Sequence, residues 1–190
     1  MFSILSRDIA RHVPENANWL SRLGFCLGAP AAWAIINYRF GNGLEKRRLP
    51  KPIKLVPWFF YRVAKLGVEI TSNIHLPAKA EIGPGLYIGH FGPIFVSKHA
   101  RLGESCNISQ GVTIGVAGRG ENRGAPTFGD RVYLGAGAKV IGKINVGSNV
   151  AIGANAVVTK DVPDNAVVAG VPAKILNYNG SGDFVHDHAQ

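Results

Sequence analysis

The sequence predicts a mainly β protein: a parallel β-helix of hexapeptide repeats preceded by a short α-helical segment. Three observations carry that expectation. Large apolar residues recur every six positions from Phe128 to Val158. Glycine is crowded into the same part of the chain, with 19 of the 24 after residue 69. Basic charge lies elsewhere, because residues 1–69 hold 11 Lys and Arg against 4 Asp and Glu, whereas residues 70–190 hold 10 against 8. At 190 residues, 46% apolar and 17% charged, the chain suffices for one domain with a buried core and is too apolar to be disordered.

The first element, residues 1–69, reads as short helices rich in basic and aromatic residues. Arg7 to Val13 is stopped by Pro14, and Asn18 is placed to cap a helix starting at Trp19. A third helix is expected from Ala31 to Phe40, ended by Gly41-Asn42-Gly43, and a fourth from Trp58 to Leu66, ended by Gly67. Trp19, Trp33 and Trp58 to Tyr61, interleaved with Arg and Lys, are expected to pack on the rest of the protein or on another subunit; a peripheral membrane contact, which such a mixture also suits, is the alternative. The longest uncharged run, Leu23 to Tyr38, is too short and too interrupted to span a bilayer. No zinc-finger, RNP-like or P-loop spacing accompanies the positive charge, so no nucleic-acid partner is expected.

The second element, residues 70–176, is the repeat. Phe128, Leu134, Val140, Val146, Ile152 and Val158 are each followed four positions later by Val132, Ala138, Ile144, Val150, Ala156 and Val162. The same pattern holds upstream in two other phases, from Ile70 to Ile88 and from Val96 to Ile114. In the second of these Cys106 takes a core position. A six-residue period matches neither a 3.6-residue helix nor a meander, but it matches short parallel strands joined by corners and stacked into one long core. The third element, residues 177–190, is a polar tail expected to be disordered, and it holds His186 and His188.

Function is expected where the period breaks. Two extra residues fall between Ile88 and Val96, around Gly89-His90-Phe91-Gly92-Pro93, and eight between Ile114 and Phe128, around Arg119 and Arg123. His90 is the side chain suited to take a proton from a hydroxyl near neutral pH. His75 lies about one coil earlier. Neither cysteine has metal-ligand spacing or a nucleophile's setting, and no metal site is expected.

Residues 70–176 resemble the hexapeptide-repeat acyltransferase superfamily, most specifically in Ile152-Gly-Ala-Asn-Ala-Val-Val-Thr-Lys-Asp-Val-Pro and Ala169-Gly-Val-Pro-Ala-Lys-Ile. Val112-Thr-Ile-Gly and Leu134-Gly-Ala-Gly-Ala-Lys-Val-Ile-Gly look most like its serine acetyltransferase branch. The resemblance implies a left-handed coil, where general crossover rules give the right hand. It also implies a homotrimer with active sites between subunits, acetyl-CoA as co-substrate, and His90 as general base in a direct transfer. By position it assigns cofactor binding to Gly135, Ala136, Gly153, Ala154, Thr159, Lys160 and Lys174. His75, Phe91, Arg119 and Arg123 are candidates for binding the acceptor.

The acceptor is less settled by resemblance. Serine acetyltransferases have an Asp before the catalytic His, and a His with a neighbouring Arg before a Pro in the long loop. Gly89, Ala125 and Gly124 stand at those positions here. Serine needs partners of both signs, and unpaired charges in a closed site are costly. The expected acceptor is therefore a sugar or polysaccharide hydroxyl, in the manner of exopolysaccharide and colanic-acid O-acetyltransferases, with Phe91, Phe95 and Tyr133 as sugar-facing aromatics. Serine itself is the alternative, and an inactive scaffold is a third reading. The expected setting is cytoplasmic, at the inner face of the membrane.

Overall fold

The structure, a computed structural model, describes residues 2–47 and 50–186. Four helices come first: α1 (Phe2–Ala10), α2 (Trp19–Gly28), α3 (Pro30–Lys46) and α4 (Lys51–Ser72). Asn18 caps α2 as expected, its Oδ1 accepting the Ser21 N–H at 2.9 Å. Helix α3 does not stop at Gly41-Asn42-Gly43. Gly41 makes room for the ring of Tyr61, since a Cβ there would lie 2.3 Å from Cε2, and Asn42 is buried, donating to the Ala78 carbonyl at 2.8 Å. Tertiary contact here outweighs weak helix propensity. Helix α4 likewise runs past Gly67 and ends at Asn73, which adopts the left-handed conformation at φ 54°. Ile70, taken from the sequence as a hexad position, is thus on α4 and exposed, and the strands begin at Ile74.

From there the chain winds as a parallel β-helix with three sheets. The first contains Ile74–His75, Ile94–Val96, Thr113–Gly115, Lys139–Ile141 and Val157–Val158. The second contains Glu81–Ile82, Arg101–Leu102, Thr127–Phe128 and Asn145–Val146, and the third Asn107–Ile108, Tyr133–Leu134, Ala151–Ile152 and Val167–Gly170. An antiparallel strand, Ala173–Asn177, closes the third sheet. Phe128, Leu134, Val140, Val146, Ile152 and Val158 all point inward and are buried, as is Cys106. Each such side chain contributes about 1.5–3 kcal/mol of burial.

Register translates the sequence breaks into geometry. A regular coil takes eighteen residues, as between Thr127 and Asn145. The coil containing His90 takes twenty, from Ile74 to Ile94, and the one containing Arg119 and Arg123 takes twenty-six, from Thr113 to Lys139. A third break was not read from the sequence. Val146 pairs with Val162 only sixteen positions on, and Ala151 with Val167 likewise. Val162 therefore occupies a large-residue position of the last coil, and the corner at Thr159-Lys160 is two residues short.

The first coil has no coil beneath it, so its backbone groups need other partners. The helices supply them. Tyr38 Oη donates to the Ala80 carbonyl and accepts the Ile82 N–H, and Arg39 donates to the carbonyls of Ile82 and Gly83. Asp8 accepts the Leu86 N–H at 2.9 Å while holding Arg39 in a buried bidentate pair.

The C-terminal segment is not a free tail. Its described part folds back along the third sheet: Phe184 stacks on Tyr133 with ring centroids 4.6 Å apart, Ser181 and Val185 are buried, and the His186 carbonyl accepts from Arg11. Composition concealed this, because a strap held through Ser, Asn and backbone groups needs few apolar residues. His188 lies outside the described residues.

Candidate active site

His90 sits in the corner joining the third sheet to the first. Gly92 turns that corner at φ 143°, its N–H bonded to the Ser72 carbonyl at 3.0 Å. The imidazole is exposed and hydrogen-bonds to no described residue. Immediately upstream the backbone is fixed, because the Ile88 N–H donates to His12 Nε2 at 3.0 Å. A Cβ at Gly89 would come 3.2 Å from the ring of Tyr87, so a tyrosine occupies the space into which an acidic side chain at 89 would grow.

The same corner recurs above His90 as Gly111, Gly137 and Asn155. It forms one wall of a groove of about 550 Å³, whose lining includes His75, Pro93, Phe95, Thr113, Lys139 and Glu69. His75 stacks on Phe95, with centroids 4.7 Å apart and planes within 7°. Its Nδ1 lies 2.5 Å from Glu69 Oε1, and Glu69 also pairs with Lys65 one turn earlier on α4. The end of the groove at His75 thus carries both signs of charge beside an aromatic face, and Pro93, three positions after His90 in the sequence, lines the same groove. Of the groove's side chains the sequence singled out His75 and Phe95. Thr113 and Lys139 were readable as outward positions of hexads, but Lys65 and Glu69 give no repeat signal.

The expected cofactor residues fall into two groups. Gly135, Ala136, Gly153 and Ala154 stack on the His90 corner, where a Cβ at Gly135 would lie 2.7 Å from the Ile152 carbonyl oxygen. Thr159, Lys160 and Lys174 meet at the end of the coil around a smaller pocket of about 180 Å³, together with Asp161 and Pro172. The two-residue deletion noted above lies at this pocket. Two ammonium groups there suit a phosphorylated end of a ligand.

The remaining acceptor candidates are dispersed. Phe91 is exposed next to His90. Arg119 and Arg123 project from the long loop, which pairs with itself through Ala117 and Gly124 and leaves the first sheet at the opposite end of its strands. Within one chain they do not join His90. Cys106 is no nucleophile, since burial pushes its thiol up to about 12.

No family model matches the chain. It is 34% identical to the serine acetyltransferase of Synechococcus elongatus over 100% of this chain and 75% of that one. Against the Helicobacter pylori serine acetyltransferase identity is again 34%, covering 90% of this chain and 96% of the relative. Among solved structures, a serine acetyltransferase in complex with CoA superimposes with a TM-score of 0.72 and 29% identity, covering 92% of this chain and 68% of that one.

Proposed function

The chain belongs to the serine acetyltransferase family, a group of left-handed β-helix acetyltransferases that use acetyl-CoA, and on that premise we propose that it transfers an acetyl group to the hydroxyl of serine. Similarity running the whole length of the chain carries this reading. The sugar hydroxyl expected from the sequence finds no support among these relatives. Gly89, Gly124 and Ala125 still lack the family's acidic, Arg and His side chains, and in this reading Lys65 and Glu69 offer the opposite charges that serine's carboxylate and ammonium require.

The residues present fit acetyl-CoA: small corner residues leave the coil edge open to an extended arm, and Lys160 with Lys174 provides positive charge at the far end. The co-substrate supplies the activated acetyl thioester. His90 takes the hydroxyl proton as the oxygen bonds to the acetyl carbon, and returns it to the thiolate released as the C–S bond breaks. General-base catalysis of this type contributes roughly 10²–10⁴ in rate. Arg119 and Arg123 reach the acceptor from a neighbouring subunit of a homotrimer, because they lie at the far end of the first sheet from His90. Exposed apolar residues of α4 are then subunit contacts. The sequence-based expectation of membrane contact has no support from the relatives, and among the described residues no single helix is long and apolar enough to cross a bilayer.

Thiol release from acetyl-CoA with L-serine and with a panel of oligosaccharides tests the reading. Saturable turnover with serine, lost at least a hundredfold in His90→Ala, is expected. Preference for any oligosaccharide over serine overturns the acceptor, and full activity in His90→Ala overturns the base.

A further inference from the structure

We propose that His12 is a positioning residue for His90, holding the last regular peptide before the catalytic corner through its neutral Nε2. This inference rests on the reading of His90 as base. Asp8 lies on α1 and His12 four residues later in the turn just beyond its end, and their side chains accept the N–H groups of Leu86 and Ile88, two residues apart on either side of the Tyr87 bridge. One helical turn, about 5.4 Å, is close to the two-residue repeat of a strand, about 6.6 Å. The helix thereby replaces the hydrogen-bonding edge of an absent coil. Asp8 secures Leu86, an ordinary buried position of the coil, whereas His12 secures the residue after which two extra residues begin.

The tautomer is defined by its partners. Nδ1 donates to the Asp8 carbonyl at 2.7 Å, which leaves Nε2 as acceptor for Ile88. The ring is clamped between Phe25 and Tyr87, with centroids 4.7 and 4.6 Å away. The charged and titratable groups around it are Asp8 on α1, Arg11 in the turn that follows it, Tyr87 on the coil, and Arg39 of α3, which is neutralised by Asp8. Phe25 is the contact from α2. A proton on Nε2 would end its acceptance of the Ile88 N–H and leave a donor facing the Ile88 carbonyl 3.2 Å away, so the Ile88 amide would lose its partner. Burial favours the neutral ring, holding its pKa below 6.5.

Two measurements on the full-length enzyme test this. Amide exchange at Ile88, referred to Val168 on a distant coil, is expected to accelerate as pH falls below 6.5 in the wild type and to be fast at all pH in His12→Phe. At acid pH kcat/KM is expected to fall further in the wild type than in His12→Gln, as protonation of His12 releases the Ile88 amide. His12→Gln, which keeps an acceptor near Nε2, retains the neutral-pH rate. His12→Phe loses about ten- to a hundredfold in kcat, the scale of a misplaced catalytic group. If Ile88 exchange is the same in all three proteins, the proposal fails even with His90 essential. If exchange responds as stated but His90→Ala is fully active, the anchor stands and the assignment of His90 as base fails.

Discussion

The phenol oxygen of Tyr38 accepts the amide hydrogen of Ile82 at 3.1 Å and gives its own proton to the carbonyl of Ala80 at 2.9 Å. One side chain thus does what a neighbouring strand does on every later coil. Burial holds this phenol's pKa up to about 12, so it remains a donor across the usable pH range.

Tyr38→Phe keeps the ring and removes the oxygen, leaving the buried Ile82 N–H unpaired and the Ala80 carbonyl with only the Asn42 amide as donor, at 3.1 Å. A destabilisation of about 1–3 kcal/mol is expected from the desolvation cost of such groups. Urea denaturation should show a lower midpoint with an unchanged slope. A midpoint equal to the wild type's would mean that the first coil does not depend on α3 for these bonds.

The pocket formed by Lys160 and Lys174 has a separate signature. Replacing either by Ala should raise KM for acetyl-CoA roughly fivefold, corresponding to about 1 kcal/mol for an exposed charge contact, and leave kcat at saturation unchanged. The penalty should shrink as salt is added, because these ammonium groups are solvent-exposed. An effect on kcat alone would place them away from the cofactor.

The β-helix was legible because one inward side chain per six residues must be apolar and large, and Phe128 to Val158 obey that without exception. Insertions were legible for the same reason, and the twenty- and twenty-six-residue coils follow from them. The shortened coil was hidden because Val162 satisfies either reading, as the medium apolar residue of a hexad or as the large residue of the next. His12 was hidden too. Its role comes from a strand seventy-six positions away, and no local pattern records which backbone groups an end coil leaves unpaired.

Helix α4 presents Leu55, Val56, Phe59, Phe60, Val63 and Leu66 to solvent, each more than half exposed in the single chain. An apolar face of this size is rare on a monomer. Phe60→Asp should convert the proposed homotrimer into monomers, read as mass by light scattering, and should leave the circular dichroism spectrum unchanged because Phe60 is mostly exposed in the single chain. If the proposed site is shared, with Arg119 and Arg123 acting across the subunit boundary, turnover should fall with the mass. Active monomers would refute the shared site.

Acid sensitivity should report on His12. Its pKa in the folded protein is lowered chiefly by burial, against the opposing pull of the Asp8 and Ile88 carbonyls and the Asp8 charge. In the unfolded chain the ring titrates near 6.5. Between the folded value and 6.5 the unfolded state binds more protons, so this contribution to stability is complete above 6.5 and declines as pH falls through that window, at up to about 1.4 kcal/mol per pH unit. Below the folded value it declines no further. Urea denaturation of wild type and His12→Gln between pH 7.5 and 5, a range chosen as about one unit above to about one and a half below the free value, isolates the effect. The wild type should lose stability relative to the variant as the solution is acidified. Parallel curves would mean that His12 accepts its proton in the folded state without cost, and that Nε2 does not hold the Ile88 amide.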